Sequence, residues 1–187
     1  MIKCFYSFIK DFNINLDKVD YLCDVRKNYV EKFSDNKRKV QSVSVWKLLR
    51  FALKEHFNIL SNNFTYYNNV WELADKSAFF SLTHSDRLVS VAISTTDIVG
   101  VDAEKCTDKI LKVKKLFLNE NVNLNSVDDL TLAWTKKESN FKNKNVNNFC
   151  SKKVYINNEE YFISVCSNIG NVEFEQIDYD KLINYTL

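Results

Sequence analysis

Val43, Trp46, Leu49, Leu53 and Phe57 fall three or four residues apart within 37–58. That spacing predicts one long helix with an apolar stripe. Such a stripe has to be buried against another layer. The chain around it offers strands. Residues 2–9, IKCFYSFI, read as a buried strand, and AFFSL at 78–82 and LVSVAIS at 88–94 as two more, linked by the polar THSDR. DIVGVDAE at 97–104 reads as a third run in that series, after a tight Thr-Thr turn. Residues 18–32 carry mixed helical periodicity, and SNNFTYYNN is turn-rich. Further on, 107–118 predicts a basic amphipathic helix capped by Thr107. Residues 126–142 predict another, capped by Ser126, with Asp128 and Asp129 where the helix dipole favours acids. KKVYI, EYFISVCS and NVEFEQI read as a closing antiparallel set. The order strand, helices, strands occurs twice. It predicts an α+β fold of two similarly built halves, 1–95 and 96–187.

A chain of 187 residues is one domain, or two small halves sharing a core. At this length folding buries roughly 70% of the unfolded surface, so neither disulfides nor a structural metal is required. The five cysteines are odd in number and contain no CxxC pair. They read as reduced thiols of a cytoplasmic protein. There is no proline and there are only two glycines, so asparagine is expected to make many of the turns. No stretch reaches the roughly 18 to 20 apolar residues of a membrane helix. The apolar start, broken by Lys3, Lys10 and Asp11, does not read as a signal peptide. A net charge of +2 gives no electrostatic case for nucleic-acid binding.

The residues with chemical potential lie in the middle of the chain. Asp102 and Glu104 are two apart, so on a strand both carboxylates point to one face. Paired carboxylates attract a hard divalent cation, though a D-x-E also suits an ordinary exposed strand end. Leu130, Trp134, Glu138 and Lys142 are spaced by four along one helix side. The row begins apolar and ends charged, which sets Glu138 and Lys142 at the edge of a core; the same two residues also make an ordinary surface ion pair. His84 lies between Thr83 and Ser85. Hydroxyls beside an imidazolium suit a phosphate, and a histidine in a turn also serves plain structural roles.

Taken together, FFSLTHSDRLVSVAIS, VGVDAE and LAWTKKESNFK resemble the three signatures of the Sfp-type 4′-phosphopantetheinyl transferases. The family pattern is F-N-(L/I)-S-H-S, then (V/I)-G-(V/I)-D-(V/I)-E, then W-(T/S)-x-K-E-(S/A)-x-x-K. The match is in order and spans residues 79–142. Phe33 and Arg50 also keep the separation of the family's N-terminal F…R pattern.

The resemblance implies two α+β halves related by a pseudo-twofold axis, with the active site in the cleft between them. It implies transfer of phosphopantetheine from coenzyme A to a serine hydroxyl of an acyl or peptidyl carrier protein, releasing adenosine 3′,5′-bisphosphate. It assigns Asp102, Glu104 and Glu138 to Mg²⁺, or Mn²⁺ in its place, with Glu138 also the base. Lys142, Lys137, His84 and Thr83 would hold phosphate oxygens, and Arg26 and Ser42 the nucleotide end of coenzyme A. Catalysis would rest on Glu138, Lys142 and His84. Trp134 reads as packing. The chain departs from the family at Thr83, Ser81, Asp86 and Gln41, and has no clear G-K-P; Lys76 lies too close to the His motif.

Lys105, Lys109, Lys112, Lys114 and Lys115, with Leu111, Leu116 and Phe117 between them, would dock an acidic carrier. A monomer is expected, with no membrane and no nucleic-acid partner. The alternative is a degenerate relative that binds carrier protein or coenzyme A without transfer.

Overall fold

The computed structural model describes residues 1–12, 19, 21–118, 124–143, 146 and 148–186. Helices and strands are mixed, with several sheets. The first sheet holds β1 (Ile2–Phe8), β4 (Phe79–Ser85), β5 (Leu88–Ser94) and β9 (Val172–Gln176), in the order β4-β5-β1-β9. Its pairs are antiparallel except β1 with β9, which is parallel. The second sheet, β6 (Val99–Lys105), β7 (Phe149–Ile156) and β8 (Glu159–Ser167), has the order β6-β8-β7. A separate hairpin joins β2 (Phe64–Tyr67) to β3 (Val70–Leu73).

The long helix α2 (Asn36–Phe57) lies where its periodicity predicts. Asp35 caps its start by accepting from the Lys37 amide at 3.0 Å, and Asn58 ends it in the left-handed region at φ 55°. Strand alternation divides the core into two clusters. Phe5, Val89, Val91 and Ile93 face α2 and meet Trp46, Leu49 and Leu53. Ile2, Cys4, Leu88 and Ala92 face the other way and meet Val101, Ala103, Ile163 and Val165 of the second sheet. The second sheet turns its remaining face to α4 (Val127–Lys142), which begins at the predicted Ser126 cap. The Ser126 hydroxyl accepts from the Asp129 amide at 3.0 Å.

Three expectations change. NVEFEQI does not close an antiparallel set with KKVYI and EYFISVCS: as β9 it pairs in parallel with β1 in the first sheet, where Val172 and Phe174 pack against the core between the sheets. The segment 107–118 is not one helix. α3 covers Lys109–Val113, a 3₁₀ turn follows at Lys114–Leu116, and no side chain caps the start. Lys109, Lys112 and Lys115 are spaced by three, so like charges oppose a continuous helix. The turn-rich SNNFTYYNN contains strand β2 and the turn of the β2–β3 hairpin, with Asn68 and Asn69 both at positive φ. Of the predicted helical stretch 18–32, α1 occupies Asp24–Glu31; residues 18 and 20 lie outside the described residues. α5 (Tyr179–Asn184) packs its Tyr179 and Leu182 into the first core. Among described non-glycine residues with positive φ, five of seven are asparagine, which replaces glycine in these turns. All five cysteines are free, and no described helix is long and apolar enough to cross a membrane.

Gly100 sets the distance between α4 and the second sheet. A Cβ placed there would lie 2.0 Å from the Ser139 carbonyl oxygen. Gly100→Ala should therefore push α4 off β6 and cost about 1–3 kcal/mol of stability. Urea unfolding checks this; unchanged stability would contradict the contact.

Candidate functional site

β4 lies at the edge of the first sheet and β6 at the edge of the second, side by side. They are tied by hydroxyls. Ser81, Thr83 and Ser85 alternate along β4 and share one face. Ser81 Oγ accepts from the Val101 amide and Ser85 Oγ from the Lys105 amide, both at 3.1 Å. The same row reaches the β6 carboxylates. Thr83 donates to Asp102 Oδ1 at 3.1 Å, and Ser85 to Glu104 Oε2 at 2.7 Å.

Asp102 is 7% exposed. From α4, Lys142 Nζ donates to Asp102 Oδ1 at 2.8 Å and to the Val101 carbonyl at 2.9 Å. The other oxygen, Oδ2, is buried with no partner. Burial pushes the Asp102 carboxyl above its ordinary range, against the pull of Lys142 and Thr83. Glu104 is raised by burial too; the Ser85 hydrogen bond opposes this and the Asp102 charge adds to it. The Trp134 indole also bonds Glu104 and lowers it, so Trp134 touches the acidic pair as well as packing on Phe117. A buried carboxylate oxygen left unpaired beside a second carboxylate is a fit for a hard cation. Glu138 is half-buried one turn before Lys142 on α4. The three predicted acids do not all come within 4.8 Å of one another.

His84 and Thr83 project to opposite faces of β4. Burial, and then the charges of Arg38, Lys142 and Arg26, push the imidazole down to about 4. It is therefore neutral at pH 7, not the imidazolium expected from sequence. Thr83 is 7% exposed and spends its proton on Asp102, which leaves it no free hydroxyl for a phosphate. Lys137 is exposed, donates to the Leu116 carbonyl at 3.1 Å and lies 5.7 Å from the centre of the Trp134 ring. Arg26 and Ser42 bond each other. Arg26 Nη2 donates to Ser42 Oγ and to the Ser42 carbonyl, both at 2.8 Å. A cavity of about 720 Å³ opens beside Lys142. Trp71, Lys76, Phe80, Ser81, Phe141 and Lys142 line it.

Sequence reasoning missed three features. Ser85 holds Glu104, a role that the alternation Ser81, Thr83, Ser85 could have signalled. Trp71 walls the cavity from a hairpin that was not foreseen. Cys106, Asp128 and Glu160 bring their ligand atoms within 4.8 Å of one another. That cluster already holds a cation: Lys153 Nζ reaches Asp128 at 2.5 Å and Glu160 at 2.8 Å. No signal in sequence spacing joins those residues. Neither models of known protein families nor curated protein sequences match the chain.

The His84 shift has a definite pH sign. Its folded value of about 4 lies below the ordinary 6.5, so its contribution to stability is complete above pH 6.5. That contribution is lost as pH falls from 6.5 towards 4. His84→Gln should flatten this part of the pH dependence of urea unfolding. Parallel curves for wild type and variant would contradict a half-buried imidazole kept neutral.

Proposed function

We propose that the chain is a metal-dependent 4′-phosphopantetheinyl transferase of the Sfp type. The observation that carries the reading is the unpartnered Asp102 Oδ2, buried beside Glu104 on one face of β6 and facing α4. Oxygen donors alone suit Mg²⁺ or Mn²⁺. Asp102 and Glu104 would hold the ion, with Glu138 joining directly or through water.

The strand orders support two similar halves, 1–95 and 96–187, with β9 and α5 of the second returning to the sheet and core of the first. In β1, β4, β5 the first strand pairs with the third and the third with the second; β6, β7, β8 repeat this. α2 falls between β1 and β4, and α4 between β6 and β7. The β4–β6 seam would then be the floor of the cleft. One chain carries every proposed ligand, in keeping with a monomer.

In the reaction, the carrier serine Oγ attacks the pantetheine-bearing phosphorus of coenzyme A. A new P–O bond forms, the pyrophosphate P–O bond breaks, and adenosine 3′,5′-bisphosphate leaves. Glu138 accepts the serine proton. Lys142 and His84 offset charge on the phosphate oxygens, His84 as a neutral donor until a phosphate arrives. A divalent ion held by Asp102 and Glu104 would supply charge neutralisation of the pyrophosphate.

The docking segment is narrower than its lysines suggest. Lys105 is ion-paired to Asp86 at 2.9 Å and also to Glu159, and Lys114 donates to Asn125 at 3.3 Å. Lys109, Lys112 and Lys115, beside Leu116 at 72% exposure, remain to meet an acidic carrier. The second reading, a binder without transfer, is favoured by one fact: Arg26, assigned to coenzyme A, is buried and bonded to Ser42.

Intact mass spectrometry of apo acyl and peptidyl carrier proteins, incubated with this chain, coenzyme A and Mg²⁺, separates the two. A gain of one phosphopantetheine that EDTA abolishes is expected. Glu138→Gln should cut the rate by about 10²–10⁴-fold with the circular dichroism unchanged. Reversing Lys112 and Lys115 to Glu should raise KM for the carrier and leave that for coenzyme A. No gain on any carrier, with coenzyme A still bound, would favour the binder.

A further inference from the structure

Arg26 is 3% exposed, yet no carboxylate among the described residues pairs with it. Both bonds to Ser42 leave from Nη2, and Nε has no partner. A guanidinium held this way is costly to keep out of water. What covers it is aromatic. The rings of Tyr29, Trp46 and Trp71 lie 5.0, 4.7 and 4.9 Å from its central carbon. Tyr29 and Trp46 sit on α1 and α2; Trp71 sits on the hairpin.

That hairpin pairs with no other strand among the described residues. Its base is anchored, with Phe64 4% and Leu73 0% exposed in the first core. Its tip is not: Tyr67 is 77% and Val70 48% exposed. Tyr66 stacks on Trp71 with ring centres 4.5 Å apart, and both rings pack on Tyr29 of α1, at 5.2 and 5.5 Å. A two-stranded ribbon alone is marginally stable. Its tip can open while its base stays in place. Trp71 also lines the 720 Å³ cavity, as does Lys142. The same ring therefore touches both the Arg26 guanidinium and the cavity.

We propose that the β2–β3 hairpin is a gate over Arg26. Closed, it cages the guanidinium. Open at its tip, it delivers that cation to an anionic group of a ligand in the cavity. The gate rests on the transferase reading only in taking that anion to be a phosphate of coenzyme A. A binding partner then supplies the counter-charge that Arg26 lacks in the closed chain, and the differential contact shifts the hairpin.

Phenylglyoxal labelling tests the gate, with adducts mapped by peptide mass spectrometry and the exposed Arg38 as internal reference. In wild type, Arg26 should react at least about tenfold more slowly than Arg38, because reaction waits for local opening. Trp71→Ala and Tyr66→Ala should each speed Arg26 by about tenfold or more and leave Arg38 unchanged. Tyr66 is half-buried, so its variant keeps the core if Trp71→Ala fails to fold. Coenzyme A should protect Arg26 in either variant. Equal rates for Arg26 and Arg38 in wild type, or no acceleration in a folded variant, would overturn the gate. Fast labelling without protection, while calorimetry detects coenzyme A binding, would overturn delivery to the ligand. No coenzyme A binding at all would count against the transferase reading, and the labelling ratios would still decide the gate.

Discussion

The hydroxyl row of β4 is the interaction on which the rest of the site depends. Two sheet edges meet at β4 and β6, and edges carry unpaired backbone donors. Ser81 and Ser85 take up two of these, from Val101 and Lys105. Thr83 and Ser85 then hold the carboxylates of Asp102 and Glu104 in place. One strand thus closes the seam and orients the acids. A valine at 83 or 85 would keep the strand but take one donor from a buried carboxylate, leaving Asp102 to Lys142 or Glu104 to Trp134.

The charge balance follows from that seam. Asp102 is buried with one cation, Lys142, on one oxygen and nothing on the other. Glu104 adds a second acid next to it, and burial raises both. The site is therefore short of positive charge on its acidic side. On its basic side, burial and the charges of Arg38, Lys142 and Arg26 depress His84. Under the proposed reading, a ligand carrying both a divalent cation and phosphates would relieve both imbalances at once. Gly100 makes this compact, because only a residue without a side chain lets α4 bring Lys142 down onto β6.

Much of this was legible in the sequence because it depends on periodicity. The α2 stripe, the Ser126 cap and the D-x-E strand are local patterns, and the structure places them as read. What was not legible depends on the partner of each side chain. Nothing local distinguishes a threonine that faces a phosphate from one that donates to Asp102, or Lys105 on a surface from Lys105 between Asp86 and Glu159. The resemblance assigns Arg26 to the nucleotide end of coenzyme A, and its cage comes from Trp46 and Trp71, which are distant in sequence. The hairpin was hidden because its turn is Asn-Asn, not the Asn-Gly that usually announces one.

Anomalous scattering from crystals soaked in Mn²⁺ tests the central claim most directly, since two carboxylate clusters compete for the ion. The account predicts one strong peak at about 2.1–2.2 Å from Asp102 Oδ2, with Glu104 as a second ligand. A peak at Cys106, Asp128 and Glu160 instead, with Lys153 displaced and Asp102 Oδ2 still unpaired, would contradict it.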